Sequence, residues 1–355
     1  MADVQTSGTS LAKVKRIEFG MEEEISSVMV KVHSKIWDDF GPSDYLRLVT
    51  LMSSSFVKFC EEILTSQELK QWMSEHEFDV IISEMLFCFH GCPKTTHITI
   101  SATNPMEWMT EAFMIPNAPA LVPGNSSPLT PKMNMIQKTF LGDSSYLMVN
   151  SHEIIDFPRP ITSQWIYIGG LRPPEPKGLD EWWSNTLSMR NYSSIVIVSF
   201  GSIAKASEMP SHVKQAYIDA MSALNDTLFI WKYEKPAHGF ASELDNVVTK
   251  EWLPQVDLLH DPRITALITH AGISSIFEAV RAAKPLITVP LFADQMRNSE
   301  MLRYRGVSVA LPKQATYHQI VNAVQKIHEK KFVLTKKLTI EEKVYSKTLC
   351  SGQVI

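Results

Sequence analysis

The chain has 355 residues, of which 45% are hydrophobic and 20% are charged, and its formal net charge is −4. A chain of this length and composition can bury the cores of two ordinary domains, so an intrinsically disordered protein is excluded. The small negative charge gives no broad basic surface, which argues against a nucleic-acid partner but leaves small anions open.

Cysteine usage and hydropathy narrow the class further. Only Cys88 and Cys92 lie close together, in CFHGC, and no second pair stands at zinc-ligand spacing, so we expect small buried residues and no metal site. The N-terminus has no apolar signal segment, and no run approaches the roughly 20 apolar residues of a membrane span. We therefore expect a soluble chain without a membrane span.

The first half of the chain predicts an α/β arrangement. Helical spacing runs through residues 21–74, and short apolar runs predict strands at residues 79–83 and 96–103. About a dozen residues separate these strands, which barely suffices for a parallel crossover.

A linker follows in GGLRPPEPKGLDEWW, where prolines, glycines and charges interrupt the apolar pattern. We predict an incomplete acceptor-binding domain over residues 1–171, a linker over 172–188, a ligand-binding domain over 189–330 and a divergent tail over 331–355. The roles of these domains rest on the resemblance described below.

The second half alternates between strand and helix patterns. Apolar or β-branched runs predict six strands, at residues 194–200, 227–233, 246–252, 264–270, 285–292 and 307–311. Helical patterns lie at residues 210–224, 273–283, 295–305 and 316–330. Near-continuous apolar strands alternating with helices are typical of a parallel sheet that helices cover on both faces.

Polar residues collect where these strands end. The carboxyl ends of parallel strands open on one edge of a sheet, and ligands of open α/β sheets bind outside that edge. Gly201 and Ser202 follow the first of the six strands, Trp252 closes the third, His270 closes the fourth and Asp294 follows the fifth. We expect these residues to share one rim.

The chemistry of this rim suits a nucleotide diphosphate attached to a sugar. The helix that follows His270 presents free amides to an anion, worth about 0.3–1 kcal/mol, and the imidazole can donate to a phosphate oxygen. Glu278 can accept hydrogen bonds from ribose hydroxyls, and Trp252 offers a face for a base. Asp294 and Gln295 can contact the hydroxyls of a sugar.

Each of these side chains also has an ordinary structural interpretation. A histidine at a strand end is commonly a satisfied turn residue, a tryptophan is commonly core, and a helical glutamate commonly faces solvent. Asp294 can simply cap the helix that follows it. The binding hypothesis is favoured because the strand pattern independently places all of them on one rim.

The segment from residue 252 to 295, WLPQVDLLHDPRITALITHAGISSIFEAVRAAKPLITVPLFADQ, closely resembles the signature sequence of the UDP-glycosyltransferase family, in the animal UDP-glucuronosyltransferase style. VIVSFGS, residues 196–202, resembles the strand that opens the family's donor domain, and weaker likeness reaches upstream to FDVIISE. The resemblance implies a GT-B fold, in which two Rossmann-like α/β domains face each other across a cleft.

The resemblance also implies roles for individual residues. Trp252 would stack on uracil, and Gln255 and Glu278 would hold the ribose. The implied UDP-binding set is Ser202, Trp252, Gln255, His270, Gly272, Ser274, Ser275 and Glu278, and the donor sugar would meet Asp294 and Gln295.

The implied reaction is an inverting displacement, in which a hydroxyl of a small lipophilic acceptor attacks the anomeric carbon and UDP leaves. The UDP-sugar is a co-substrate, so no cofactor is expected. The family further implies the endoplasmic reticulum membrane and leaves open association with related transferases.

Three departures from the family pattern affect these expectations. Ala271 and Ser275 stand where the family has glycines, which matters if either position needs a positive φ. Glu84 occupies the position of the carboxylate that orients the catalytic base, but the base histidine is not identified, and His33 is a weak substitute. Besides an active transferase, a non-catalytic UDP-sugar-binding or regulatory form and, by fold analogy, a nucleotide-sugar epimerase therefore stay open.

Overall fold

The computed structural model describes residues 36–38, 58, 61–63, 65–84, 96–102, 145–170, 175–239 and 241–329. His33, the CFHGC segment and the predicted tail at 331–355 lie outside these residues. Within them, two separate sheets are present, and every strand pairing is parallel.

The first sheet has four strands in chain order: β1 Val80–Glu84, β2 Thr96–Ser101, β3 Tyr146–Val149 and β4 Trp165–Tyr167. Helix α1, Gln67–Ser74, precedes β1, and its first turn is capped by Ser66, whose hydroxyl accepts from the Leu69 amide at 3.2 Å. The strands predicted at 79–83 and 96–103 are confirmed, whereas β3 and β4 were not predicted.

The second sheet has six strands: β5 Ser194–Ser199, β6 Thr227–Lys232, β7 Val247–Lys250, β8 Ile264–Thr269, β9 Leu286–Thr288 and β10 Ser308–Ala310. All six predicted strands are confirmed; the starts of β5, β6 and β8 coincide with the prediction, and the other ends lie one to four residues inside it. Their spatial order is β7-β6-β5-β8-β9-β10. This is the doubly wound order, whose direction reverses between β5 and β8, and ligands bind at such a reversal.

Helices cover both faces of this sheet. They are α2 Glu181–Thr186, α3 Ser211–Ala223, α4 Gln255–His260, α5 Ile273–Arg281, α6 Gln295–Arg305 and α7, residues 317–329. Every residue of β5, β6 and β8 is buried, as a sheet covered on both sides requires. Short helices α2 and α4 were not predicted.

Alternate side chains along each strand enter two hydrophobic clusters. Val196 and Val198 of β5 pack with α3 and α7 on one face, whereas Ile195 and Ile197 pack with α2, α4, α5 and α6 on the other. Segments from before the predicted linker join both clusters: Ile36 and Trp37 enter the first, and Ile155 and Phe157 enter the second. The predicted domain boundaries stay a prediction.

In the part of the chain that the structure describes, no helix has the length and apolarity to cross a bilayer. Nor do three or more His, Cys, Asp or Glu side chains gather there as a metal site.

Candidate functional site

A cavity of about 440 Å³ opens beside the carboxyl end of β5, where the second sheet reverses direction. Five of the predicted UDP-binding residues line it: Ser202, Trp252, Gln255, Ser275 and Glu278. Ser202 follows β5, Trp252 follows β7, Gln255 begins α4, and the other two lie on α5. The parallel sheet thus gathers residues that are up to 76 positions apart, between 202 and 278, around one space.

His270 lies next to this cavity, in a slot between two glycines. A Cβ atom on Gly201 would lie 2.6 Å from the His270 ring, and one on Gly272 would lie 2.5 Å from its Nε2. Burial, and secondarily the charge of Lys232, lower the pKa of His270 to about 4. The imidazole is therefore neutral at physiological pH, with one nitrogen able to donate and the other to accept.

Gln255 and Glu278 form a hydrogen-bonded pair across the cavity wall. The Nε2 atom of Gln255 donates to Glu278 Oε2 at 2.6 Å and to Ser275 Oγ at 3.3 Å. This pair joins α4 to α5. Burial raises the pKa of Glu278, and the hydrogen bond from Gln255 acts in the opposite direction. A half-buried carboxylate already oriented by a neighbour is suited to accept further hydrogen bonds from a diol.

Trp252 is 71% exposed, unlike a core tryptophan. Its ring lies 5.3 Å from the ammonium of Lys232, which also donates to the Gly201 carbonyl at 2.9 Å and lies 3.4 Å from the carboxylate of Glu234. Lys232 was not predicted from the sequence. The sequence feature that could have identified it is its place as the last residue of the apolar strand TLFIWK, on the carboxyl edge of the sheet.

Residues 175–178 of the predicted linker form an outer wall of the cavity, which was not predicted from the sequence. Glu175 and Lys177 line the space, and Glu175 pairs with Arg281 of α5 at 2.7 Å. The backbone amides of Lys177 and Gly178 both donate to Oδ1 of Asp257 on α4. The linker is thus attached to both helices that carry the Gln255–Glu278 pair.

Asp294 and Gln295 do not line this cavity. The side-chain oxygen of Gln295 accepts from the amides of Leu291 and Phe292 at 2.9 and 3.1 Å, which fixes the loop before α6. Asp294 makes no capping bond to the helix amides; its carboxylate instead accepts from Asn298 at 2.8 Å. Burial raises the pKa of Asp294.

Asn298 connects Asp294 to the histidine slot. Its amide nitrogen also donates to the carbonyl of Ala271 at 3.0 Å, next to His270. Asp294 and His270 therefore lie on one connected rim, as the strand order predicts, although only His270 approaches the cavity wall. The predicted contact of Asp294 and Gln295 with a donor sugar stays a prediction.

The departures from the family's glycines have different consequences. Ala271 has φ +66°, so this position does need the left-handed conformation, which costs an L-residue about 1–2 kcal/mol. Ser275 lies inside α5, with its hydroxyl accepting from Gln255, and Ser274 is exposed in the first turn. Glu84 is the last residue of β1, paired with Ile100, and its predicted role stays a prediction.

Residues 128–338, more than half of the chain, match the family model described as "UDP-glucoronosyl and UDP-glucosyl transferase". The chain belongs to this family. The Caenorhabditis elegans protein ugt-56 is 34% identical over 206 residues, 56% of this chain and 39% of that protein. UDP-glucuronosyltransferase 1A1 of Rattus norvegicus is 25% identical over 301 residues, 73% of this chain and 55% of the rat protein. The chain thus spans about half or less of the length of these relatives.

Solved structures of glycosyltransferases have the same architecture. An anthocyanidin 3-O-glucosyltransferase in complex with UDP aligns with a TM-score of 0.62 at 15% identity, covering 84% of this chain and 78% of that one. The glycosyltransferase of kitacinnamycin aligns with a TM-score of 0.62 at 17% identity, covering 82% and 77%. The likeness shows the fold: the predicted GT-B arrangement of two parallel-sheet domains is confirmed.

Proposed function

We propose that this member of the family binds a UDP-sugar in the cavity where the second sheet reverses direction, which we call the switch-point cavity. It then transfers the sugar, with inversion, to a hydroxyl of a small lipophilic acceptor. The observation that carries the proposal is the convergence of an exposed aromatic face, an oriented carboxylate and two nitrogen donors at the reversal of the sheet. These are Trp252, Glu278, Lys232 and His270. The family membership supports the same ligand class.

The nucleoside would occupy the cavity between Trp252 and the Gln255–Glu278 pair. A base stacked on an exposed indole gains about 1–3 kcal/mol, and the open face of Trp252 provides for this. Glu278 would then accept from the ribose hydroxyls. Its hydrogen bond from Gln255 holds the carboxylate in place before the ligand arrives, which reduces the entropy lost on binding.

The diphosphate would lie against the histidine slot. A neutral His270 donates one hydrogen bond to a phosphate oxygen, the first amides of α5 add their dipole, and Lys232 supplies a positive charge nearby. These groups act most strongly on the additional negative charge that develops as UDP departs, so they favour the transition state over the ground state.

Lys232 does not decide between glucuronate and glucose as donor. Its ammonium lies beside Trp252 and the Gly201 carbonyl, which is the nucleotide end of the proposed site. At the other end, the Arg297 guanidinium next to Gln295 is paired with Asp156. The transfer assay therefore compares both donors.

The direct test is to titrate the protein with UDP and then assay transfer from UDP-glucuronate and UDP-glucose to a phenol. We expect saturable UDP binding, weakened about tenfold in His270→Ala through loss of one hydrogen bond to a charged group. His212→Ala removes an exposed histidine and serves as the matched control. Binding without transfer would favour the non-catalytic form, and absence of UDP binding would contradict both.

A further inference from the structure

A buried ion pair joins the segment that follows β3 to the first turn of α6. The carboxylate of Asp156 binds the guanidinium of Arg297, and both side chains are almost completely buried. The Asp156 carboxylate also accepts from the Ser151 hydroxyl at 3.2 Å and the Phe157 amide at 2.7 Å, and a second arginine, Arg159, lies 3.8 Å from it. The guanidinium lies 5.4 Å from the ring of Phe157. The Asp156 carboxylate and the Phe157 ring thus hold Arg297, and the bonds from Ser151 and from the Phe157 amide hold Asp156.

The same segment also holds the far end of α6. Arg305, the last residue of the helix, donates to the carbonyls of Glu153 at 3.1 Å and of Asp156. Residues 153–156 therefore contact α6 at its first and last turns. Because the two anchors are eight residues apart on a rigid helix, this segment determines both the position and the tilt of α6.

Stability alone gives no reason for burying this pair. Desolvating two charges costs several kcal/mol per ion, and apolar pairs of similar size are often as stable or more stable. What an ion pair with defined hydrogen bonds adds is a single geometry. The helix whose geometry is fixed here is the one that begins next to Asp294 and Gln295.

We propose that Asp156 and Arg297 are positioning residues for the sugar part of the donor. By fixing the first turn of α6, they place Asp294 where it reaches the sugar while Asn298 links it to the histidine slot. This inference rests on the proposed UDP-sugar function. It assigns the connection between β3 and β4 a part in donor recognition, although no atom of Asp156 lines the nucleotide cavity.

The test compares the dissociation constants of UDP-sugar and of UDP, measured by calorimetry with UDP, UDP-glucose and UDP-glucuronate as titrants. The double variant Asp156→Asn with Arg297→Met removes the two charges of the pair together, and the amide at position 156 still offers an oxygen to Arg159, which lies 3.8 Å from the Asp156 carboxylate. We expect the ratio Kd(UDP-sugar)/Kd(UDP) to rise about tenfold, the loss of one or two hydrogen bonds, while Kd for UDP changes less than about twofold.

Arg303→Met is the matched control, because Arg303 lies on the same helix and pairs with Glu300 at 2.7 Å, but is 64% exposed. It should leave the ratio unchanged. If the double variant does not fold, Arg305→Met detaches the other end of α6 and should raise the ratio about threefold. An unchanged ratio, or equal weakening of UDP and UDP-sugar, would overturn the inference. Failure of the wild type to bind UDP would instead contradict the proposed function itself.

Discussion

The imidazole of His270 lies so close to Gly201 and Gly272 that neither glycine has room for a side chain. At Gly201 a positive φ of +80° also requires glycine, but Gly272 has an ordinary φ of −65°. The constraint at Gly272 is therefore purely steric. A methyl group there must displace the ring from the place where it would meet a phosphate.

Gly272→Ala is accordingly expected to weaken UDP binding about tenfold and to lower the free energy of unfolding by about 1–3 kcal/mol through overpacking. Calorimetric titration and urea unfolding measure the two effects. Gly239→Ala is the control: its φ is +60°, but the nearest atom to a new Cβ is 3.6 Å away, so only backbone strain is added. Unaltered UDP affinity in Gly272→Ala would contradict the placement of the diphosphate at this slot.

Burial of His270 also predicts a pH dependence of stability. Its folded-state pKa of about 4 lies below the ordinary 6.5, so the unfolded chain binds a proton on this ring at a higher pH than the folded chain does. The contribution of His270 is complete above about pH 6.5 and is lost as the pH falls towards 4. His152, whose pKa burial also lowers to about 4, behaves in the same way.

His270→Gln isolates the contribution of one ring, because His152 contributes equally to wild type and variant. Between pH 7.5 and 5, the wild type should lose about 2 kcal/mol more unfolding free energy than the variant. Urea unfolding at the two pH values measures this difference, with the exposed His212→Gln as control. Parallel pH profiles for the wild type and His270→Gln would contradict a neutral buried imidazole.

At the scale of elements, the pairing of α4 with α5 through Gln255 and Glu278 predicts recognition of ribose hydroxyls. Glu278→Ala should therefore weaken UDP binding about tenfold while leaving the weaker binding of 2′,3′-dideoxy-UDP almost unchanged. Glu234→Ala removes a carboxylate that lies near Lys232 but not on the cavity wall, and provides the comparison. Equal losses for both nucleotides in Glu278→Ala would exclude the ribose contact.

The central strands of the second sheet were predictable because β5, β6 and β8 are buried on both faces, which requires continuous apolar runs. The strands β3 and β4 were missed although they are no shorter than β9 and β10, which were predicted. The difference is that β9 and β10 follow predicted helices in a regular alternation, whereas no helix pattern was recognised directly before β3 or β4. The six-residue helices α2 and α4 are too short to show a period.

The site was predictable to the extent that strand ends determine it. Ser202, Trp252 and Glu278 come together because topology puts their elements on one edge, which the alternation of strands and helices already indicates. Lys232 and the linker residues Glu175 and Lys177 were not predicted, because their approach to the cavity depends on contacts across the fold. The hydrogen bond from Asn298 to the Ala271 carbonyl also depends on contacts across the fold, so it was not predicted either.

At the scale of the whole molecule, the two sheets are connected by more than a linker. The segment after β3 contributes Ile155 and Phe157 to the core of the second sheet and anchors α6 through Asp156. The linker itself lines the cavity. Chain that precedes the second sheet thus packs into the core of that sheet and lines the cavity at its edge.

The central claim, that the switch-point cavity holds the nucleotide, is tested most directly by titrating UDP into the wild type, Trp252→Ala and Trp182→Ala. Both tryptophans are exposed, at 71% and 45%, and each has a lysine ammonium over its ring, but only Trp252 lines the cavity. Loss of a stacking contact worth about 1–3 kcal/mol should weaken UDP binding about 5- to 150-fold in Trp252→Ala, with wild-type affinity in Trp182→Ala. Equal UDP affinities in all three proteins would contradict the claim.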